Sequence, residues 1–485
     1  MEIPKEVKIV LDGLAEKDFK AYLVGGCVRD LLRNVEPQDW DIATNAKPEE
    51  VGAIFLRSFS NNNFGTVVVL TDSGDDRLKE IEVTTFRIDE KYSDKRHPDK
   101  IAWATNVEDD LSRRDFTVNA IAASPEIGEL KIIDPFSGQN DLAKKIIKAV
   151  GNAEDRFNED ALRMIRAVRF ATIFGFKIEQ KTSQAILKNS SLLQFISKER
   201  IRDEFLKIIM ADNADQGVEL LKGLGLLKFI LPELEEGDGI EQNKHHIYNC
   251  YEHSVRSLAY AVKNKFNRNV RVAALLHDIG KPRSKQGEGE NATFYNHEII
   301  GAKMAFQALN RLRFSKKDIE KIVRLVRYHL FYYNVGEVSE ASVRRLVSRM
   351  GLENMEELLQ VRMADRIGSG VPKAEPYKLR HLKYVVERVS RDPISVKMLE
   401  VNGEDVMDIL KIKPGIKIGW ILEILLGFVL TDPKNNNKEF LAGEIMRLGE
   451  IEDNELKIMS EQSRTEREKI ETKKDEMTKR KYWVT

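Results

Sequence analysis

The stretch that decides the fold is residues 21–41, AYLVGGCVRDLLRNVEPQDWD. It opens on four β-prone residues, Ala21 to Val24. Gly25 and Gly26 break that run, and Cys27 to Leu32 starts a helical pattern. Glycines between a strand and a helix let backbone approach a phosphate closely, and the helix N-terminus offers free N–H donors to the anion. Gly25, Gly26 and Arg29 are therefore candidate nucleotide-binding residues, although a Gly-Gly pair is also an ordinary turn. Asp39-Trp40-Asp41 follows. In a strand, residues i and i+2 point to one face, so both carboxylates face one site. Their repulsion is costly unless a cation lies between them. Mg²⁺ suits such oxygen ligands, held by one or two carboxylates plus substrate phosphates. Asp39 and Asp41 are thus candidate magnesium ligands and catalytic residues. A lone Asp-X-Asp also fits a solvated surface turn.

The company of this pair narrows the reading. Ile81-Glu82-Val83-Thr84 reads as a later strand that brings a third carboxylate, Glu82, to the same edge; an exposed edge glutamate has the same pattern. Two ions on such a set can activate an attacking hydroxyl and stabilise a leaving pyrophosphate. Residues 113–120, RRDFTVNA, supply cations for a triphosphate and an asparagine for a sugar hydroxyl or phosphate. Arg114, Asp115 and Asn119 are the candidates there. Asp134-Pro135-Phe136-Ser137-Gly138 reads as a turn before a helix.

Outward from this segment, short apolar runs such as FGTVVVL and IEVTTF alternate with turns up to about Lys148. After Gly151 the periodicity becomes helical. DALRMIRAVRFATIF repeats apolar residues at three- and four-residue spacing, with Phe174-Gly175 as its stop. The expected fold class is α+β: a head with a small mixed sheet, then an all-helical neck, a helical body and a helical tail. Expected divisions are 1–150, 151–235, 236–372 and 373–485, since 485 residues exceed one ordinary core. The charge-dense stretch from Glu450 to Lys481 reads as a solvated helix or a frayed tail, with Lys473, Lys474, Lys479, Arg480 and Lys481 on a solubilising face that could also touch RNA phosphates.

Composition excludes several classes. The chain is 42% hydrophobic and 32% charged, a globular balance. No run of about 18 apolar residues spans a membrane. The N-terminus is a charged amphipathic helix rather than a signal peptide. Cys27 and Cys250 make no disulfide framework, and a reducing cytoplasm fits. With 78 basic and 78 acidic residues, net charge gives no argument for nucleic-acid binding, so any RNA-binding basic residues must be segregated on one face.

Two further constellations carry chemistry. Asp160 and Arg163 lie three apart at the start of the neck helix, hence on one face. A carboxylate accepts and a guanidinium donates, so together they match the polar edge of cytosine or adenine. An i, i+3 surface salt bridge is the plainer alternative. Ser197-Lys198-Glu199-Arg200 reads as a helix start that supports the neck. In the body, His253, His277-Asp278 and Asp365 combine imidazoles with carboxylates, the chemistry of transition-metal sites. His277-Asp278 ends an apolar helix, where burying both is expensive without a cation. His297 and His329 can add ligands for a second ion. His245 and His246 read as ordinary surface or core histidines.

GGCVRD, DWD, RRDFTVNA, DPFSGQNDL and EDALRMIRAVRF occur in this order over roughly residues 20–210. Together they resemble the class II tRNA nucleotidyltransferases, the CCA-adding enzymes and bacterial poly(A) polymerases of the polymerase-β superfamily. The resemblance implies a polymerase-β-like head, transfer from CTP and ATP to a tRNA 3′ end, and a base-selecting role for Asp160 and Arg163 with Arg166 orienting them. It also implies that the polar segment Tyr92–Pro98 accompanies addition of the terminal A. Residues 243–370 resemble an HD-superfamily metal phosphohydrolase, which implies hydrolysis of phosphate or 2′,3′-cyclic phosphate RNA ends. A-adding or poly(A) activity, and an HD hydrolase whose head only binds RNA, remain open on these residues.

Overall fold

The computed structural model describes residues 3–60, 65–90, 100–126, 129–242, 247–390 and 396–482. Tyr92–Pro98, His245 and His246 lie outside the described residues. The chain forms two compact units, Met1–Leu330 with Glu357–Ala374, and Phe331–Glu356 with Glu375–Thr485.

The first unit begins with α1 (Lys5–Ala15), β1 (Ala21–Val24), α2 (Gly26–Leu32), β2 (Asp41–Thr44), α3 (Pro48–Ile54), β3 (Ser58–Ser60), β4 (Thr66–Leu70) and β5 (Glu80–Thr85). After β6 (Arg87–Glu90), β7 (Lys100–Trp103) and α4 (Val107–Ser112) come β8 (Ala122–Glu126) and β9 (Glu129–Ile133). Seven strands form one sheet in the order β3-β4-β5-β2-β1-β8-β9, while β6 and β7 pair separately. Every neighbouring pair in the large sheet is antiparallel except β2 and β5.

Alternation along the central strands explains why this sheet is covered twice. Leu23 and Ile42 join Val67, Ile81 and Val83 in a core closed by Val7, Val10, Leu11 and Leu14 of α1. Val24 and Ala43 point the other way, into a core with Val107, Leu111 and Ala120. A strand buried on both faces reads as an unbroken apolar run, which is what AYLV is. The same alternation sends Asp41 and Glu82 to the second face.

The helical part of this unit starts with α5 (Gly138–Ala143), α6 (Ala153–Glu159), α7 (Leu162–Phe174), α8 (Gln180–Asn189) and α9 (Lys198–Met210). α7 stops at Gly175 in the left-handed region, φ 66°, as its sequence predicts. Its start corrects the sequence expectation: Asp160 is outside the helix, in extended backbone with φ −140° and ψ 103°. The body follows as Cys250–Lys263, Arg268–Leu276, His297–Arg311 and Lys316–Tyr328.

The second unit packs around the apolar helix Ile416–Thr431. The charge-dense C-terminal stretch is a helix, Asp453–Tyr482. Its first turns are not solvated all round: Leu456 is fully buried and Met459 packs beside it. No described helix is long and apolar enough to cross a membrane.

One close approach in the head fixes its rim. The Asp134 carboxylate accepts from the Gly138 and Gln139 N–H groups at 2.7 and 2.9 Å. A Cβ at Gly138 would lie 2.2 Å from the Thr117 carbonyl oxygen, so only glycine lets α5 reach the 117–119 turn. Gly138→Ala is expected to lower unfolding free energy by about 1–3 kcal/mol, since overpacking forces backbone to shift. Urea denaturation measures this, and an unchanged midpoint contradicts the close approach.

Candidate functional site

In the head, β2 and β5 set Asp41 directly beside Glu82 as register partners. Asp39 corrects the expectation of a strand-borne pair, because β2 begins only at Asp41 and Asp39 sits on the segment leading into it. The three carboxylates still interact. Burial raises Asp41 to about 6, with Glu82 and Asp39 adding to the shift against the pull of Arg114. Glu82 is raised by burial and by Asp39. Carboxylates that favour a proton at this position are short of positive charge, which a hard cation with oxygen preference supplies.

Gly25 is the other wall. It has φ +74°, and a Cβ there would come 2.7 Å from Arg114 Nη1 and 3.6 Å from Asp41 Oδ2. The positive φ demands glycine, and a side chain there would also have to displace the Arg114 guanidinium. Arg114 is held from below by buried Asp110, which also takes Arg113 at 2.6 Å. Asp115 and Asn119 turn inward rather than toward solvent. Arg29 Nη1 donates to Asn119 Oδ1 at 2.7 Å, Asn119 donates to Asp115 at 3.1 Å, and Arg166 Nε donates to Asp115 at 2.8 Å. Burial works against the charge of Asp115, but Arg166 and Asn119 outweigh it and hold the carboxyl near 2.

At the neck, the side chains of Asp160 and Arg163 do not pair; the Arg163 N–H donates to the Asp160 carbonyl at 3.0 Å. Asp160 accepts from the Leu162 N–H at 3.0 Å and from Arg200 at 2.7 Å. Arg163 reaches Glu159 at 2.5 Å and the Arg113 carbonyl at 2.9 Å. The helix start at Ser197–Arg200 thus meets the neck, as expected, through Arg200.

The body brings together all six of its expected ligands. His253, His277, Asp278 and Asp365 form one group of potential ligand atoms, and Asp278, His297 and His329 a second, each within 4.8 Å. His253 Nε2 lies 2.9 Å from His277 Nε2 and 3.0 Å from Asp278 Oδ2. Asp278 Oδ1 faces His297 and His329 at 3.3 and 3.5 Å, so this one carboxylate belongs to both groups. His277, His297 and His329 each use Nδ1 on the carbonyl three residues back, at 2.7–2.8 Å, which leaves Nε2 for the centre. Burial favours neutral His277, yet Asp278 and Asp365 outweigh it and raise it to about 10. Burial lowers His329. A buried set with two carboxylates and four imidazoles fits divalent transition-metal ions.

Two cations here escaped sequence reading. Lys281 Nζ lies 2.6 Å from Asp278 Oδ2, and Arg362 holds Asp365 at 2.6 Å. Their i, i+3 spacing to the ligands was the available signal. A cavity of about 860 Å³ opens on the centre, lined by Lys281, Tyr295, His297, Arg362 and Arg366 among others.

Comparisons with known proteins agree with this layout. Residues 21–148 match the poly(A) polymerase head domain, 175–237 a probable RNA- and SrmB-binding site of polymerase A, and 250–367 the HD domain. A CCA-adding enzyme of Ligilactobacillus salivarius is 33% identical over 91% of this chain and 99% of its own. An A-adding tRNA nucleotidyltransferase of Deinococcus radiodurans is 32% identical over 84% of this chain and 90% of its own. The CCA-adding enzyme of Lactobacillus delbrueckii subsp. bulgaricus reaches 48% identity, but there the chain spans only 55% of the relative's length and the match takes in 46% of this chain. The crystal structure of Bacillus stearothermophilus CCA-adding enzyme in complex with CTP superposes with a TM-score of 0.58 at 28% identity, covering 92% of this chain and 98% of that one. Fold and site together define a polymerase-type nucleotidyltransferase head joined to an HD domain. The chain belongs to the class II tRNA nucleotidyltransferase family of CCA-adding enzymes and their relatives.

The raised Asp41 makes a signed prediction. A carboxyl whose folded value is above its unfolded one costs stability once ionised, so the cost is present above about pH 6 and vanishes below about pH 4. Without divalent metal, Asp41→Asn is expected to be more stable than the parent by about 1–3 kcal/mol at pH 7–8 and equal to it at pH 4. Denaturant titrations in chelator at both pH values measure it. A variant less stable at pH 8 contradicts a carboxylate that is costly to ionise here.

Proposed function

We propose that the chain adds C, C and A to tRNA 3′ ends from CTP and ATP without a nucleic-acid template. Its HD domain, in this reading, hydrolyses phosphate or cyclic-phosphate RNA ends. The observation that carries the transfer reading is the register that sets Asp41 beside Glu82, on the face that receives Arg114. Asp39, Asp41 and Glu82 are the catalytic carboxylates and hold magnesium. Mg²⁺ held there would supply Lewis acidity for the acceptor hydroxyl and the leaving pyrophosphate.

The chain's own residues do the rest. Gly25 and Gly26 let backbone close on the triphosphate, and Arg29 and Arg114 neutralise it. Asp115 and Asn119 act on the nucleotide through Arg29 and Arg166, which they hold. Asp160 accepts from the exocyclic amine that cytosine and adenine share, while Arg163 donates to the neighbouring ring nitrogen. Arg166 orients this end of α7. For that, Asp160 gives up part of its bond to Arg200 and Arg163 part of its bond to Glu159.

In the HD domain, His253, His277, Asp278 and Asp365 hold one divalent transition metal, and Asp278, His297 and His329 a second. A metal held there would supply Lewis acidity for hydrolysis at phosphorus. Lys281 and Arg362 add positive charge for phosphate oxygens. We assign the four regions 1–150, 151–235, 236–372 and 373–485 to transfer, neck, HD domain and tail, the last as a tRNA contact, and place the protein in the cytoplasm.

A second reading is A-addition alone, favoured by the Deinococcus radiodurans relative, whose match takes in 84% of this chain. It differs in one observable: labelled CTP is not incorporated into tRNA lacking CCA, whereas ATP is incorporated into tRNA ending in CC.

Paired variants test both centres. Asp41→Ala is expected to lower incorporation of labelled CTP and ATP by at least about 10³-fold and leave hydrolysis of a 2′,3′-cyclic nucleotide intact. His277→Ala is expected to do the reverse. Transfer that survives Asp41→Ala places the chemistry elsewhere, and hydrolysis that survives His277→Ala removes the HD assignment.

A further inference from the structure

Four guanidinium groups gather on two rings of α7. Phe170 and Phe174 stack with centroids 5.6 Å apart and planes 15° from parallel. The guanidinium carbon of Arg29 lies 4.6 Å from the Phe174 centroid and 5.6 Å from that of Phe170. Arg33 shares Phe174 at 4.4 Å, while Arg166 and Arg169 share Phe170 at 5.3 and 4.2 Å. Phe116 backs Phe170 edge-on at 5.8 Å. All four arginines also have a carboxylate: Asp30 for Arg29 and Arg33, Asp115 for Arg166 and Glu204 for Arg169.

The rings do something for Arg29 that a carboxylate cannot. A carboxylate engages the N–H edge of a guanidinium, the same edge a phosphate needs. A ring engages the flat face through its quadrupole and takes no edge donor. Arg29 already spends Nε and one Nη2 hydrogen on Asp30, at 3.0 and 2.8 Å, and one Nη1 hydrogen on Asn119, so its second Nη1 and Nη2 hydrogens are the ones left for a phosphate. Arg29 is 9% exposed, so its position is set by these neighbours rather than by solvent. Its Nη2 lies 3.7 Å from where a Gly26 Cβ would be, directly at the strand–helix turn. One side chain therefore joins the phosphate turn to α7, whose other end carries Arg163 and Arg166.

We propose that Phe170 and Phe174 are positioning residues for nucleotide binding. They hold Arg29 by its face against the Gly25–Gly26 turn, and so tie the phosphate site to the base-reading end of α7. This rests on the nucleotide-binding reading of Arg29 given above. The rings touch no base in this account, so their effect is shared by CTP and ATP.

The test is a double-mutant cycle on the full-length protein, read as KM and kcat for CTP and ATP and as the Kd of Mg²⁺–CTP. Phe174 is the half-buried ring and the safer one to change. Phe174→Leu is expected to raise KM and Kd about 5- to 30-fold for both nucleotides, with kcat changed less than about twofold. Phe174→Tyr keeps the ring face and is expected to return KM to within about twofold of the parent. In an Arg29→Ala background, Phe174→Leu is expected to add less than about twofold, because its effect runs through Arg29. Phe170→Leu follows the same pattern; if it fails to fold by circular dichroism, the Phe174 series decides. Effects that add independently of Arg29, or equal losses with leucine and tyrosine, overturn the proposal. A parent protein that binds CTP but transfers nothing to tRNA overturns the proposed function instead, and the Kd series still decides this inference.

Discussion

Parallel pairing of β2 with β5 is the constraint on which the rest of the head depends. It is the one parallel contact in a sheet otherwise built from antiparallel neighbours. Reaching it takes a crossover from Thr44 to Glu80 through α3, β3 and β4. Its register is set by what lies on the opposite face: Ile42, Ile81 and Val83 are fully buried beneath α1. A slip of one residue would move Glu82 into that apolar layer and Ile81 and Val83 onto the carboxylate face. Hydrophobic burial thus holds two carboxylates together, and the shift of Asp41 toward about 6 comes first from that burial and then from repulsion by Glu82 and Asp39.

The same economy of elements appears at α7. Its N-terminal end presents Arg163, its middle presents Arg166 to Asp115, and its last turns carry the rings under Arg29. Asp115 is the junction, taking Arg166 on one oxygen and Asn119 on the other, with Asn119 passing the restraint to Arg29. In the body, Asp278 plays the corresponding part. Its two oxygens face different histidines, and His277, His297 and His329 are each aimed by the carbonyl three residues back. In both centres a buried carboxylate that serves two groups removes the freedom of each.

Much of this was legible in sequence because it is local. The strand–glycine–helix order of residues 21–32, the glycine stop of α7 and the body's histidines with their aspartates all follow from short-range pattern. What failed was pattern that depends on where an element begins. The pattern puts Asp39 in a strand and Asp160 in a helix, yet each lies just outside, because β2 starts at Asp41 and α7 at Leu162. Partners distant in sequence were also invisible: Glu204 on Arg169 and the Arg113 carbonyl on Arg163 are set by packing, not spacing. The tail shows the opposite error, since Leu456 and Met459 carry an apolar stripe that charge density masked.

The central claim is that carboxylates from β2 and β5 form one cation-holding transfer centre. Anomalous diffraction from crystals grown with Mn²⁺ and CTP measures this most directly, because manganese replaces magnesium at oxygen sites. The account predicts a strong peak bounded by Asp39, Asp41 and Glu82 with the CTP phosphates against it, and loss of that peak in Asp41→Asn. Manganese that fills only the histidine centre of the body, with CTP bound away from Asp41, would contradict it.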